Sequence, residues 1–224
     1  MNHGPRTFLA AVMASCALAL TGAAPASAAC ANEDTIPTAE NLDLMREAVI
    51  CLHNEARGQA NLALLERDSR LTDAANQHAE DMVAGGYFAH QSPTDVDPFD
   101  RMRQADYIGR GIIWNAGETI AWASGSLATP KSVVDSWLDA TTQRLTMLAP
   151  DFRDIGVGIA LGAPVERDAD ALPAVTYTVD YGWRITQRSL RRCLRRAGNR
   201  KRRPVRRLMR ARCYGSVARG AKVG

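Results

Sequence analysis

Residues 154–161, "DIGVGIAL", and residues 174–182, "AVTYTVDYG", alternate in the manner of β-strands. The polar segment 162–173, "GAPVERDADALP", separates them. Upstream the period changes. From Leu42 the apolar positions Leu42, Met45, Val49, Leu52 and Ala56 recur every three or four residues, one face of a helix that Gly58 ends. A second helix begins at Asp68 or Ser69. It carries Leu71, Ala74, Ala75, His78, Ala79, Met82 and Val83 and stops at Gly85-Gly86. "PFDRMRQAD" (98–106) predicts a short helix with Pro98 in its first turn. "TPKSVVDSWLDATTQRLTML" (129–148) predicts one long helix capped by Thr129, with Pro130 first and a stripe through Val133, Val134, Trp137 and Leu145. Helices and antiparallel strands along one chain predict an α+β layer structure, and no internal repeat is present.

The ends read differently from the middle. Residues 1–29 predict a signal peptide: basic "MNHGPR", apolar "TFLAAVMASCALAL", then small residues offering cleavage after Ala28 or Ala29. The apolar run is too short for a membrane span. Neither Cys16 nor Cys30 has the Leu-type residue expected three positions before a lipidated cysteine. Cleavage leaves Cys30, Cys51, Cys193 and Cys213, an even count that predicts two disulfides in an exported chain. Three pairings are open; the simplest joins Cys30 to Cys51 and Cys193 to Cys213. No Cys-x-x-Cys is present, which argues against a structural zinc site or a thioredoxin-type centre. The net charge of +4 hides a split. Residues 184–224 hold sixteen Lys/Arg and no Asp/Glu, whereas residues 1–183 carry a formal −12. The expected organisation is a leader (1–29), one domain (30–183) and a basic Arg-rich tail (184–224). The tail reads as two short basic helices broken at Gly198 and Pro204, or as a solvated disordered segment.

Four stretches, read in order between Leu44 and Gly182, resemble the CAP superfamily (cysteine-rich secretory, antigen 5 and pathogenesis-related proteins), in its exported bacterial branch. They are "CLHNEARGQANLALLERDSRLTDAANQHAEDM" (51–82), "GYFAHQSPTDVDPFDRM" (86–102), "AGETIAW" (116–122) with "TPKSVVDSWL" (129–138), and "DIGVGIA" (154–160) with "YTVDYG" (177–182). The resemblance implies an α-β-α sandwich with a central antiparallel sheet. It also implies a cleft of two histidines and two acids, which often holds a divalent metal. By motif His90 matches the first histidine and Glu118 the first acid. The bacterial pattern continues Trp-x-x-Ser-Pro-Gly-His-Arg after the position of Trp137, but here the chain reads "WLDATTQR". Gln143 stands at the second histidine, Ala140 near the second acid, and Asp139 one residue out of register. His90 and Glu118 are then half a metal site, and an amide oxygen replaces imidazole poorly. The expectation is no required cofactor and at most a weakly bound divalent metal.

Other residues read more plainly. His78 and His53 sit on helix stripes and read as core histidines. Asp95, Asp97 and Asp100 lack the glycine and distal glutamate of an EF-hand loop. There is no Gly-x-Ser-x-Gly and no His-Glu-x-x-His, and Ser92 beside Pro93 reads as a turn residue. The expected function is a monomeric, secreted, non-enzymatic binding domain. It takes a small or lipidic ligand or an envelope component at His90 and Glu118, while residues 184–224 attach to anionic envelope polymers or lipid headgroups without sequence-specific nucleic-acid recognition. The alternative is a metal-assisted hydrolase or peptidase using His90 and Glu118, assisted by Asp139.

Overall fold

The computed structural model describes Met1 and residues 29–109, 113–168, 171–185 and 187–198. The expected leader and most of the expected tail, including Cys213, lie outside the described residues. In chain order the elements are α1 (Leu42–Gln59), β1 (Glu66–Arg67), α2 (Ser69–Gly85), α3 (Pro98–Gln104), β2 (Ile113–Ser124), α4 (Pro130–Asp139), α5 (Thr141–Met147), β3 (Asp154–Leu161), β4 (Ala174–Ile185) and α6 (Gln187–Gly198). Local chemistry explains several boundaries. Asp68 caps α2 by accepting from Arg70 N at 3.0 Å, and Gly86 ends it at φ +64°, where a side chain would be strained. Asp97 caps α3 ahead of Pro98, and Thr129 caps α4 ahead of Pro130.

The sheet runs β1-β3-β4-β2. β4 pairs antiparallel with β2 on one side and β3 on the other, while two-residue β1 joins β3 in parallel. The sheet is thus antiparallel apart from that short edge. Cross-strand partners share a face, which divides the sheet sharply. One face carries Ile155, Val157, Ile159, Val175, Tyr177, Val179 and Tyr181, buried against α1 and α4 through Met45, Val49, Val134 and Trp137. The opposite face carries Gly156, Gly158, Thr178, Asp180, Gly182 and Glu118. There α2 lies almost on the backbone. A Cβ on Gly156 would stand 2.1 Å from the Leu71 carbonyl carbon, and one on Gly158 would stand 2.2 Å from the Ala75 backbone. Only glycine permits that approach.

The segment 113–124, to which its sequence pattern assigns no element, forms a twelve-residue strand, β2. The predicted long helix over 129–148 breaks at Ala140, whose ψ of 121° ends α4 and begins α5. Arg57 anchors the redirected chain. It is fully buried in α1 and donates to the carbonyls of Met147, Ala149 and Phe152, and Met147 is buried beside it. β4 runs through Arg184 to Ile185. Arg184 donates to the Tyr107 carbonyl at 2.8 Å and to Asp68 at 3.1 Å, and its guanidinium lies 4.3 Å from the Tyr107 ring. Its charge is therefore bound to the domain. A disulfide joins Cys30 to Cys51 with Cα atoms 5.8 Å apart. Cys193, on α6, is also disulfide-bonded.

Candidate functional site

The α2-facing side of the sheet gathers charge from four elements. β2 contributes Glu118, β4 contributes Asp180, α3 contributes Arg101, and the loop after α2 contributes His90. Glu118 is enclosed: its side chain is 2% exposed, and both oxygens are occupied. His90 Nδ1 lies 2.7 Å from Oε1, and Arg101 Nη2 donates to Oε2 at 2.8 Å. Burial opposes ionisation of Glu118, but the His90 hydrogen bond and the Arg101 charge outweigh it and hold the carboxyl below its ordinary value. Glu118 is a bound carboxylate at neutral pH.

Arg101 holds the loop as well as the charge. Nη2 also donates to the His90 carbonyl at 2.9 Å, and Nη1 donates to the Val96 carbonyl at 3.1 Å. The loop supports itself too: Ser92 Oγ accepts from Val96 N at 3.1 Å and contacts Thr94 Oγ1 at 3.0 Å. Ser92 orders the turn and makes no bond to His90. His90 is the accessible member, with 56% of its side chain exposed. Its Nδ1 side is occupied by Glu118, and Nε2 has no partner among the described residues.

Asp180 stands opposite Glu118 in the β2–β4 ladder and is wholly buried. Burial pushes its carboxyl well above the ordinary value, and the Glu118 charge pushes the same way. Neither oxygen receives a hydrogen bond from a described residue. As a neutral acid Asp180 is itself a donor, and Glu118 is the acceptor beside it. His78 completes the surroundings. It is fully buried, donates Nε2–H to the Ala89 carbonyl at 3.0 Å, and lies 3.8 Å from Glu118 Oε1. Burial lowers its pKa. The stripe reading of His78 as a core residue holds, and so does that of His53, bonded to the Val49 carbonyl and the Tyr181 hydroxyl.

The structure brings His90 and Glu118 together but does not join Asp139 or Gln143 to them. Asp139 ends α4 and is exposed, and Gln143 lies beyond the break at Ala140. Neither bonds to His90 or Glu118 among the described contacts. Sequence reasoning missed Arg101 and Asp180. The signal for Asp180 was an acid in the middle of a strand whose every second residue, Val175, Tyr177, Val179 and Tyr181, is apolar or aromatic. Arg101 gave none, because a helix arginine reads as a solvated charge until its neighbours are known. A divalent metal fits this set poorly. Both Glu118 oxygens are taken, one by a guanidinium standing where the cation's charge would act. Cys30, Cys51 and Glu55 also gather their potential ligand atoms within 4.8 Å, but both sulfurs are spent in the disulfide.

The model of the cysteine-rich secretory protein family, CAP, matches residues 50–181. YkwD of Bacillus subtilis is 35% identical over 136 residues, covering 60% of this chain and 49% of YkwD. The B. subtilis membrane protein YlbC is 31% identical over 111 residues, covering 50% of this chain and 30% of YlbC. This chain therefore spans half or less of the curated relatives it matches. Among solved structures, an extracellular SCP-domain protein of Bacillus anthracis aligns with a TM-score of 0.48 at 28% identity, over 65% of this chain and 44% of that one. An outer surface protein of Borrelia burgdorferi aligns with a TM-score of 0.48 at 21% identity, over 67% and 97% of the two chains.

Proposed function

Since the chain belongs to the cysteine-rich secretory protein family, we propose that it is an exported binding domain which presents His90 to a small or lipidic ligand or an envelope component. One observation carries this reading. Glu118 is sealed between His90 and Arg101, so it braces the imidazole and leaves the exposed ring, with Nε2 unspent, as the recognition element. A peptidase would need a free base and an activated nucleophile. Here the carboxylate is spent and Ser92 is turned to its own loop. Export is supported by the leader-like first twenty-nine residues and by the Cys30–Cys51 disulfide. No helix among the described residues is long and apolar enough to cross a membrane.

Attachment to anionic surfaces belongs to the same proposal. α6 exposes Arg191, Arg192, Arg195 and Arg196, pairs four residues apart on one side of the helix, while Leu190, Cys193 and Leu194 are half-buried. Guanidinium groups suit phosphate. Contact through charge releases bound counterions, so attachment should weaken steeply between about 50 and 200 mM salt.

Three measurements test the reading. Calorimetric titration with a fatty acid and with soluble cell-wall fragments should show binding that His90→Ala removes. Casein hydrolysis by the purified protein should be absent; hydrolysis lost in both His90→Ala and Glu118→Gln would replace the binding reading with the peptidase one. Salt-independent envelope binding by a protein lacking residues 187–224, which leaves β4 whole, would remove the electrostatic half.

A further inference from the structure

In the order β1-β3-β4-β2, β2 has β4 on one side and no described strand on the other. Its twelve residues pair with β4 without a bulge. The register fixes which main-chain groups are left over. Gly125 N, just beyond the strand, donates to the Pro173 carbonyl at 3.0 Å, so the odd-numbered residues of β2 exchange bonds with β4. The even-numbered residues, from Trp114 to Trp122, turn N–H and C=O outward. Trp137 shows the same parity: its indole N–H donates to the Ile120 carbonyl at 3.1 Å from outside the ladder. The outward groups of Trp114, Ala116 and Glu118 have no partner among the described residues.

Edges of this length are normally blunted by lysine, proline, a bulge or a covering element. β2 reads "IWNAGETIAWAS" and carries neither lysine nor proline. Its one charge, on Glu118, is turned away from solvent. Glu118 as a whole residue is only half-buried although 2% of its side chain is exposed, so the surface it offers is main chain.

Walls on both sides make this edge the floor of a groove. On the α2 side His90 stands 2.7 Å from Glu118. On the core side Thr146 of α5 and Phe152 lie against Gly117, where a Cβ would stand 3.1 Å from each. A second copy would bring its own walls into the same space, and Trp137 on the Ile120 carbonyl would interrupt a twelve-residue pairing of edge with edge. A single extended chain beside residues 114–118 meets neither obstacle. Fatty acids and sugars lack the alternating N–H and C=O groups that such an edge answers.

We propose that this groove binds a short extended peptide, added to the four-stranded sheet as a further strand beside residues 114–118. Main-chain bonds hold it. Its side chains alternate between the two walls, so a polar residue opposite Glu118 faces His90 and an apolar one opposite Gly117 faces Thr146. The proposal rests on the binding reading above and names the class of ligand.

The test is NMR titration of the full-length protein with the capped peptide acetyl-Ser-Val-Ser-Val-Ser-amide, which is uncharged and alternates as a strand does. Binding should be saturable, with shifts at the Trp114, Ala116 and Glu118 amides and slower hydrogen exchange at Ala116 and Glu118. A strand turns alternate N–H groups to opposite sides. Of two versions, N-methylated at the valines or at the serines, one should therefore bind about tenfold more weakly or worse and the other as the parent does. Ala116→Pro removes an outward N–H and no bond to β4, a position where an edge strand accepts proline. It should unfold near the native urea midpoint and lose the peptide, whereas His90→Ala should keep it. No saturable binding, equal effects of the two methylation patterns, or dimerisation that protects the Ala116 and Glu118 amides without peptide would each overturn the proposal. Binding lost in His90→Ala but kept in Ala116→Pro would move the guest to the imidazole, overturning the edge and leaving the His90 reading in place. Peptide binding kept by a protein that takes up neither fatty acid nor cell-wall fragments would support the edge and remove the His90 reading alone.

Discussion

Replacing Arg101 by Met should destabilise the protein by about 3–5 kcal/mol at pH 7, the usual cost of stranding one partner of a buried ion pair. Glu118 keeps His90 but loses the charge 2.8 Å from Oε2, in a place where only 2% of its side chain meets solvent. The variant can escape by protonating Glu118. From an ordinary carboxyl value of 4.5, protonation at pH 7 costs about 3 kcal/mol, which places the electrostatic part of the loss near the same figure. The sign with pH follows. In the variant the folded-state pKa of Glu118 lies above its unfolded value, so the folded variant gains stability as pH falls from 7 toward 5. In the native protein the folded pKa is lowered, so its contribution is kept from pH 7 to 5 and is lost only as pH falls below the unfolded value of 4.5 toward the folded one. The gap between the two proteins should therefore shrink by about 2 kcal/mol on going from pH 7 to 5. Urea unfolding at both pH values reads this directly. The double variant Arg101→Met, Glu118→Leu should recover part of the loss and give a coupling energy of about 2 kcal/mol or more. A single-variant cost under about 1 kcal/mol, or a gap indifferent to pH, would show that water screens the pair and would undo the account of a sealed Glu118.

Other outcomes follow from the same structure. Burial pushes the fully enclosed His53 down to about 4 from 6.5; the folded state thus binds fewer protons, and about 3 kcal/mol of stability should be lost as pH falls from 6.5 to 4. Unfolding curves of His53→Gln should show that loss flattened. Gly158→Ala should cost more than about 3 kcal/mol or prevent folding, since its Cβ would meet the α2 backbone at 2.2 Å; a thermal melt near the native value would refute the close approach. Reducing Cys30–Cys51, which closes a loop of sequence separation 21, should cost about 3 kcal/mol, measured by urea unfolding of Cys51→Ser. Zinc calorimetry at neutral pH should give no saturable heat, and tight zinc binding that His90→Ala abolishes would show that the Arg101–Glu118 pair opens for a cation.

Much of the architecture was legible because its signals are local. Asp68, Asp97 and Thr129 cap helices through hydrogen bonds to residues two or three positions on, and Pro98, Pro130 and Gly86 act through their own backbones. β3 and β4 showed themselves by alternation, since one side of each meets a deep core. The motifs that led to His90 and Glu118 were readable for the same reason: each is a short run of residues.

What the chain by itself could not decide are the places where residues distant in sequence determine one another. β2 is a strand because β4 offers it twelve partners, not because residues 113–124 alternate. The helix over 129–148 breaks at Ala140 while Arg57, from another helix ninety residues earlier, gathers the carbonyls that follow. Arg184, read from the sequence as one charge among many, is held to the domain by Asp68 and Tyr107. Arg101 and Asp180 became parts of the site only when α3 and β4 were set against Glu118, for the state of a charged group depends on its burial and on the charges beside it, and both are properties of the fold rather than of the residue.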